Sequence, residues 1–402
     1  MGESEPKGER VNLFDPAVAV DPQPFYADLR ARCPVARSTF LDSPVVSRYE
    51  DVARALRQPE LFSSAMEKQI ALGTERPMIP QQIDPPDQTR YRRLLDPHFS
   101  RRKMEALAPA IRSQANALID RFESRGACEV DSEFAIPLPC SAFLSLLGLP
   151  LSDLPAFLEI KDDIIRPQKR RGVPMLPIAE AVAIRKAAGT RIYAHFERLI
   201  DERSAQPRDD LTSSLVHAEI EGERLSRSEI LDICFLLLIA GLDTVTATLG
   251  CSIAWLARHP EERRRIAREP ALIPGAVEEL LRWETPVTGV PRIATQDVTL
   301  HGCEIKRGEM VTFLLGAANT DAAHFRDSDR VDFDRERNLH LAFGAGPHRC
   351  LGSHLARMEL RVALEEWHRR IPDYAIAPGA TPVYSPGIRE VMHLPLIWAS
   401  RR

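Results

Sequence analysis

From Ser226 to Pro260 the chain offers no proline, and the middle of that stretch, Ile233 to Leu242, is apolar nearly all round. Ser226 and Glu229 have the spacing of a capping box, so the segment predicts one helix of roughly 30 residues, about 45 Å long. A rod of that length and composition has to cross the core. The apolar run lies between Asp232 and Asp243 and is shorter than the about 20 residues a membrane span needs. Gly241, Asp243 and Thr244 stand where an uninterrupted core helix would carry Leu or Ala. Weak helix formers at a buried centre need a reason.

The rest of the chain predicts a fold around that rod. Its 32 prolines cluster outside the helical stretches and act as punctuation. Residues 22–32 and 50–58 read as short helices, and residues 34–49 between them as a strand pair. Helical periodicity dominates from about 88 to 270, with Leu107, Ile111, Leu118 and Phe122 at helical spacing. After Pro286, residues 287–295, 298–305 and 310–319 carry β-branched residues in short runs, which suggests a small sheet. A last helix is expected from about Leu351 to Arg370. The fold class is therefore mostly α with minor sheet, α+β in the broad sense. No linker or repeat divides the 402 residues, so a single domain over 1–402 is expected, with residues 1–12 as a tail.

Composition excludes several functions. Lys+Arg 53 against Asp+Glu 57 leaves a net charge of −4, which gives no support for nucleic-acid binding. A hydrophobic fraction of 44% rules out disorder for most of the chain. The seven cysteines are scattered without a CxxC pair, which argues against a disulfide framework or a structural zinc cluster. The polar N-terminus lacks the apolar core of a secretory signal. The expectation is a soluble, cytoplasmic monomer with neither nucleic acid nor membrane as partner.

The strongest chemical signal is Phe343-Gly-Ala-Gly-Pro-His-Arg-Cys350-Leu-Gly352. Two glycines and a proline make a tight loop, and Cys350 falls at the expected start of the last helix, where the dipole and first-turn N–H groups favour a thiolate. Such a sulfur is a ligand for a soft or borderline metal, although a lone loop cysteine is more often inert and buried. Thr244 on an apolar helix would ordinarily bond back to a carbonyl four residues earlier. Asp243 is harder to accommodate, since a carboxylate in an apolar helix must be paired or hydrated. Glu279 and Arg282, three apart, share a helix face and alone read as a solvated bridge. A zinc site of Cys350, His348 and His354 lacks the usual third-ligand spacing.

With its neighbours, the Cys350 string resembles the haem-binding loop of the cytochromes P-450. Ala240-Gly-Leu-Asp243-Thr244 matches the oxygen-activation motif of that family's central helix, and Glu279-Leu-Leu-Arg282 matches its ExxR motif. Phe333-Asp334 through His340-Leu-Ala-Phe343 matches the segment leading into the cysteine loop, and the four motifs occur in the family's order. The resemblance implies a single cytochrome P-450 domain holding haem b between the long helix and the loop, with Cys350 as axial iron ligand; thiolate donation favours O–O cleavage. Phe343, Gly344 and Gly352 fall at cofactor-binding positions. Arg92, Arg292 and His348 match the partners of the haem propionates, and Gln88 stands where many members have His.

By the same resemblance, Asp243 and Thr244 form an acid–alcohol pair that delivers protons to dioxygen so that water, rather than peroxide, leaves. Gly241 would let the helix open. Glu279 and Arg282 would join a buried structural network completed by a second arginine. Arg335 is the nearest match for it, and because the chain is shorter than usual between Asp334 and Asn338, Arg337 is a rival. Leu236, Ile239, Ala240, Val287 and Val290 would line the distal pocket, with ordinary core packing as good an account of any one of them. The implied enzyme is a haem-thiolate monooxygenase that inserts one atom of O2 into an apolar terpenoid, steroid or fatty-acid-like substrate, drawing electrons from NAD(P)H through a separate ferredoxin and ferredoxin reductase. A peroxygenase, against which the Asp243–Thr244 pair weighs, and a non-catalytic haem sensor or carrier are the alternatives. Arg101, Arg102, Lys103, Arg349, Arg357 and Arg361 would form a docking patch for an acidic ferredoxin.

Overall fold

The computed structural model describes residues 9–39, 42–66, 72–173, 176–220 and 222–399. The chain gathers into two compact units, one of residues 1–63, 104–135 and 244–402, the other of residues 64–103 and 136–243.

In the larger unit a six-stranded sheet has the order Arg10–Val11, Val35–Ser38, Pro44–Val46, Met310–Phe313, Val290–Ala294, Phe62–Ser63. The pair expected within 34–49 is antiparallel, with Val35 opposite Val46. Met310–Phe313 joins it in parallel and turns Val311 toward Arg292 on the antiparallel side. Arg10–Val11, expected in the tail, instead pairs parallel to Val35–Ser38, because Val11 is buried in an apolar cluster with Tyr26, Leu29, Ala36 and Val45. The 298–305 run is a hairpin whose turn uses positive φ at His301 and Gly302. The 310–319 run is a strand only to Phe313, and a short helix, Leu315–Ala318, follows. The final helix spans Ser353–Arg370 and packs against Ala108–Ile119, Ile273–Trp283 and Thr244–Arg258. It begins two residues later than expected because Gly352 takes the cap position.

The smaller unit is built from helices: Asp87–Leu95, Pro137–Leu147, Leu154–Ile165, Ile178–Ala205, Leu211–Val216 and Arg227–Gly241. The capping box forms as its spacing requires, with Ser226 Oγ accepting from Glu229 N and Glu229 Oε2 accepting from Ser226 N at 3.2 and 2.7 Å. The single rod does not. Arg227–Gly241 ends, Leu242 and Asp243 form a turn, and Thr244–Arg258 begins. The break falls on the residues that looked out of place in a core helix. Gly241 also has a packing reason, since a Cβ there would lie 2.6 Å from ring carbons of Phe143. By length and composition the 32-residue segment Arg227–Arg258 is apolar enough to cross a membrane, which the ten-residue apolar run did not suggest. It is a core element instead: 78% of its most apolar window is buried in protein.

Candidate active site

The cysteine loop is shaped mainly by backbone. Cys350 N donates to Phe343 O at 2.8 Å, Arg349 N to Gly346 O at 3.1 Å and Gly344 N to Leu341 O at 2.8 Å. Gly344 and Gly346 both adopt φ of 66°, which glycine tolerates without strain. Gly346 is doubly constrained, because a Cβ there would lie 2.2 Å from the Leu56 carbonyl oxygen. Of the seven cysteines, Cys350 is exposed; Cys33 and Cys303 are half-buried and the other four are buried. Burial pushes the thiols of Cys128, Cys234 and Cys251 up, out of thiolate range at neutral pH.

The base of the loop is pinned by groups that sequence reasoning missed. Arg357 donates to both oxygens of Glu278 at 2.6 and 2.8 Å and lies 4.4 Å from the ring centre of Phe343. His340 Nε2 lies 3.2 Å from Glu278 Oε2. Burial pushes the Glu278 carboxyl up, but His340 and Arg357 outweigh it and hold the group at about 2. Leu341 N donates to Asn319 Oδ1 at 2.6 Å, and Asn319 in turn donates to Thr285 Oγ1 at 2.7 Å.

Glu279 and Arg282 are no surface bridge: both are fully buried. Arg282 donates to Glu279 Oε1 and Oε2 at 2.7 and 2.9 Å and to the carbonyls of Asn319, Ser328 and Arg330. Arg335 Nε reaches both Glu279 oxygens at 3.1 and 3.0 Å, so of the two candidate arginines it is Arg335 that completes the network. Asn338 Nδ2 and Asp332 N add donors at 2.9 Å each. A carboxylate with so many donors is satisfied despite its burial. Nearby in sequence, Arg292 is nearly buried and donates to Pro291 O at 2.7 Å.

In the smaller unit Asp243 has no exposed surface. Arg166 grips it with both terminal nitrogens at 2.9 Å each, and Lys161 Nζ lies 2.9 Å from Oδ1. Burial works to raise the Asp243 carboxyl, but Arg166 and Lys161 prevail and hold it below the usual carboxylate range. Neither cation was found by motif, because both lie on the helix Leu154–Ile165 and its cap, about 80 residues earlier. Along Arg227–Gly241, Leu236 is half-buried, Ile239 buried and Ala240 exposed. Thr244 is half-buried, as are Val287 and Val290.

A sequence profile described as "Cytochrome P450" matches residues 176–367. The mycinamicin IV hydroxylase/epoxidase of Micromonospora griseorubida is 37% identical over 92% of this chain and 92% of its own. The steroid C26-monooxygenase of Mycolicibacterium smegmatis is 34% identical over 89% of each chain. This chain belongs to the cytochrome P450 family. The solved structure of cytochrome P450 CYP109Q5 from Chondromyces apiculatus superposes with a TM-score of 0.87, at 32% identity, covering 98% of this chain and 99% of that one. The chain is thus a P450 monooxygenase with the P450 fold, and the family implies haem, dioxygen and reducing equivalents.

The residues of this P450 fit such a group. An exposed thiol on a locked loop is a suitable iron ligand. A Cβ on Gly352, two residues on, would meet nothing within 4 Å. Arg292 and the half-buried His348 supply donors. Gln88 is buried, and Arg92 directs Nε to Asp96 at 2.8 Å. The cations expected to meet a ferredoxin differ in exposure and pairing. Arg101, Arg102 and Lys103 are exposed, but Arg357 is bound to Glu278, and Arg361 to Glu105 and Glu365 at 2.6 and 3.3 Å. Glu278 and Glu105 lie on other helices, Glu365 on the same one as Arg361.

Proposed function

We propose that this P450 inserts one atom of dioxygen into an apolar small molecule of terpenoid, steroid or fatty-acid-like chemistry. It acts as a cytoplasmic monomer, the whole chain serving as one haem domain. Electrons come from NAD(P)H through a separate ferredoxin reductase and ferredoxin, the latter meeting the exposed Arg101, Arg102 and Lys103. The observation that carries the reading is Cys350, the exposed thiol among seven, presented by a loop its own backbone locks. A relative named for a steroid supports the substrate class.

Bound haem b supplies dioxygen activation and oxygen-atom transfer. Cys350 would hold its iron, with Phe343, Gly344 and Gly352 beside it; Arg292, His348, Arg92 and Gln88 would meet the propionates. Thr244 would hold a proton on Oγ1 for the reduction of dioxygen. Asp243, kept ionised by Arg166 and Lys161, is an acceptor at neutral pH, so it draws protons toward Thr244 rather than storing one. Leu236, Ile239, Ala240, Val287 and Val290 would meet the apolar substrate.

Cys350→Ser is expected to lose the thiolate-type spectrum of the reduced carbon-monoxide complex; its retention means another residue binds the iron. Thr244→Ala is expected to keep the ligand-induced spin shift while diverting reduced oxygen to peroxide. Asp243→Asn is expected to slow turnover. Coupled, undiminished turnover in both variants would sink the proton-delivery assignment.

A further inference from the structure

Cys33 and Cys303 are 270 positions apart in the chain, yet their thiols meet at one atom. Cys33 Sγ donates to the Val35 carbonyl oxygen at 3.3 Å, and Cys303 Sγ donates to the same oxygen at 3.6 Å. The two sulfurs are therefore at most 6.9 Å apart, the sum of those distances. They are close enough to interact electrostatically: burial and Cys33 push the Cys303 thiol up, while Arg37 pulls it down. Both cysteines are half-buried, whereas Cys128, Cys140, Cys234 and Cys251 are sealed in the core, so water and small solutes have access to the pair.

The two side chains come from different elements of the larger unit. Cys33 caps the C-terminus of the helix Pro22–Arg32, its N–H donating to Leu29 O. Cys303 opens the second strand of the hairpin formed by Val298–Leu300 and Cys303–Ile305, directly after the turn at His301 and Gly302. Cys33 packs against the apolar cluster that contains Tyr26 and Leu29, Cys303 against the one that contains Val35 and Ile305. A disulfide requires the sulfurs about 2.05 Å apart. Each therefore has to leave the Val35 oxygen and swing toward the other, a movement that staggered χ1 wells at the ends of two elements allow. Among the described residues no third His, Cys, Asp or Glu joins the pair as a metal set, so it falls two donors short of a tetrahedral zinc site.

We propose that Cys33 and Cys303 are a redox modification site, closed to a reversible intramolecular disulfide by hydrogen peroxide. One thiol, as its thiolate, attacks a peroxide oxygen; the O–O bond breaks, hydroxide leaves, and the sulfur becomes a sulfenic acid. The second thiolate attacks that sulfur, the S–O bond breaks, and a second hydroxide leaves. The protons given up by the two thiols convert both hydroxides to water. Two thiols and one peroxide thus yield one disulfide and two waters, the sulfurs losing two electrons and the peroxide gaining them. Peroxide is also what a monooxygenase releases when protons fail to reach dioxygen, but the pair does not depend on that source. The bond ties the helix Pro22–Arg32 to the hairpin across the strand Val35–Ser38 and closes a loop of 270 residues. Constraining so long a loop stabilises the folded chain, and a dithiol reductant reverses the change.

Peptide mapping of the haem-loaded protein tests this. After treatment with hydrogen peroxide, remaining thiols are blocked with N-ethylmaleimide and the chain is cut with trypsin without reduction. The expected result is a linked pair of the peptides 33–37 and 293–306, with loss of both maleimide-labelled forms, and its disappearance after dithiothreitol. The melting temperature is expected to rise by at least about 3 °C on oxidation. Cys33→Ser and Cys303→Ser are each expected to abolish the linked pair and the rise. Absence of the pair, linkage of either cysteine to Cys350 or to a second molecule, or a melting shift shared by wild type and both variants overturns the proposal. The reduced carbon-monoxide spectrum, recorded on the same samples, reports on Cys350 separately.

Discussion

Asp243→Asn replaces a carboxylate by an amide of the same shape and leaves two cations, Lys161 and Arg166, in a site where their side chains are 2% and 5% exposed. Removing one partner of a buried ion pair costs about 3–5 kcal/mol, chiefly because the survivor stays buried and uncompensated. Here Asp162, 24% exposed, lies 3.2 Å from Lys161 and 3.6 Å from Arg166 and recovers part of the loss. The expected destabilisation is therefore about 3 kcal/mol, the low end of that range. Lys161→Met in the wild-type background leaves the bidentate Arg166 contact intact and is expected to cost no more than about 1 kcal/mol. Combining the two changes removes the surplus cation, so the double variant should be more stable than Asp243→Asn by at least about 1 kcal/mol. Urea unfolding followed by circular dichroism, with equal m-values, gives all three differences. The acid limb adds a second check. Because the folded carboxyl is held below its unfolded value of 3.8, the contribution is full above that value and is lost as pH falls through the folded one. Asp243→Asn should flatten that limb. A single variant within about 0.5 kcal/mol of wild type, or a double variant no more stable than the single, would refute the argument.

Among the buried titratable groups of the helix Ser353–Arg370, His368 and Glu359 have opposite pH dependence. Burial lowers His368 from 6.5 to about 4, so the unfolded chain takes up a proton first and stability falls by about 3 kcal/mol as pH drops across that window. Burial raises Glu359 well above 4.5, so stability falls as pH rises past 4.5; Glu359→Gln should raise the melting temperature at pH 8 and leave it unchanged at pH 4. Arg335→Leu should lower stability by about 3 kcal/mol, and Arg337→Leu by less than about 0.5, in urea unfolding; the reverse order would reassign the network. Gly346→Ala should cost about 2 kcal/mol or more and reduce haem retention, read as the Soret-to-protein absorbance ratio.

The sequence revealed local spacing far better than distant partners. The capping box at Ser226 and Glu229, the helix over 22–32 and the hairpin within 34–49 depend on neighbours a few residues apart, and they formed where periodicity put them. The break at Leu242 and Asp243 was marked by poor helix formers, but a proline-free run argued for continuity; Asp243 at the break pairs with Arg166 and Lys161. Those two cations were illegible because nothing in the spacing of residues 161, 166 and 243 announces a contact. The same holds for Glu278 and Arg357. Arg357 reads as a solvated charge until the helix Ile273–Trp283 brings Glu278 against it. The choice between Arg335 and Arg337 likewise needed coordinates, since both lie within the same short segment before the cysteine loop.

The contact between Gly346 and the Leu56 carbonyl oxygen joins positions 290 residues apart through main chain alone. Whatever side chain position 56 carries, the same oxygen faces the glycine. Residue 346 is therefore frozen while its partner is free to change for reasons of its own, and no substitution at one site can be compensated at the other. Such a contact leaves no correlated variation in a lineage of sequences. The loop that presents Cys350 is steadied by a constraint that pairwise comparison of relatives would pass over, and that only an invariant glycine would betray.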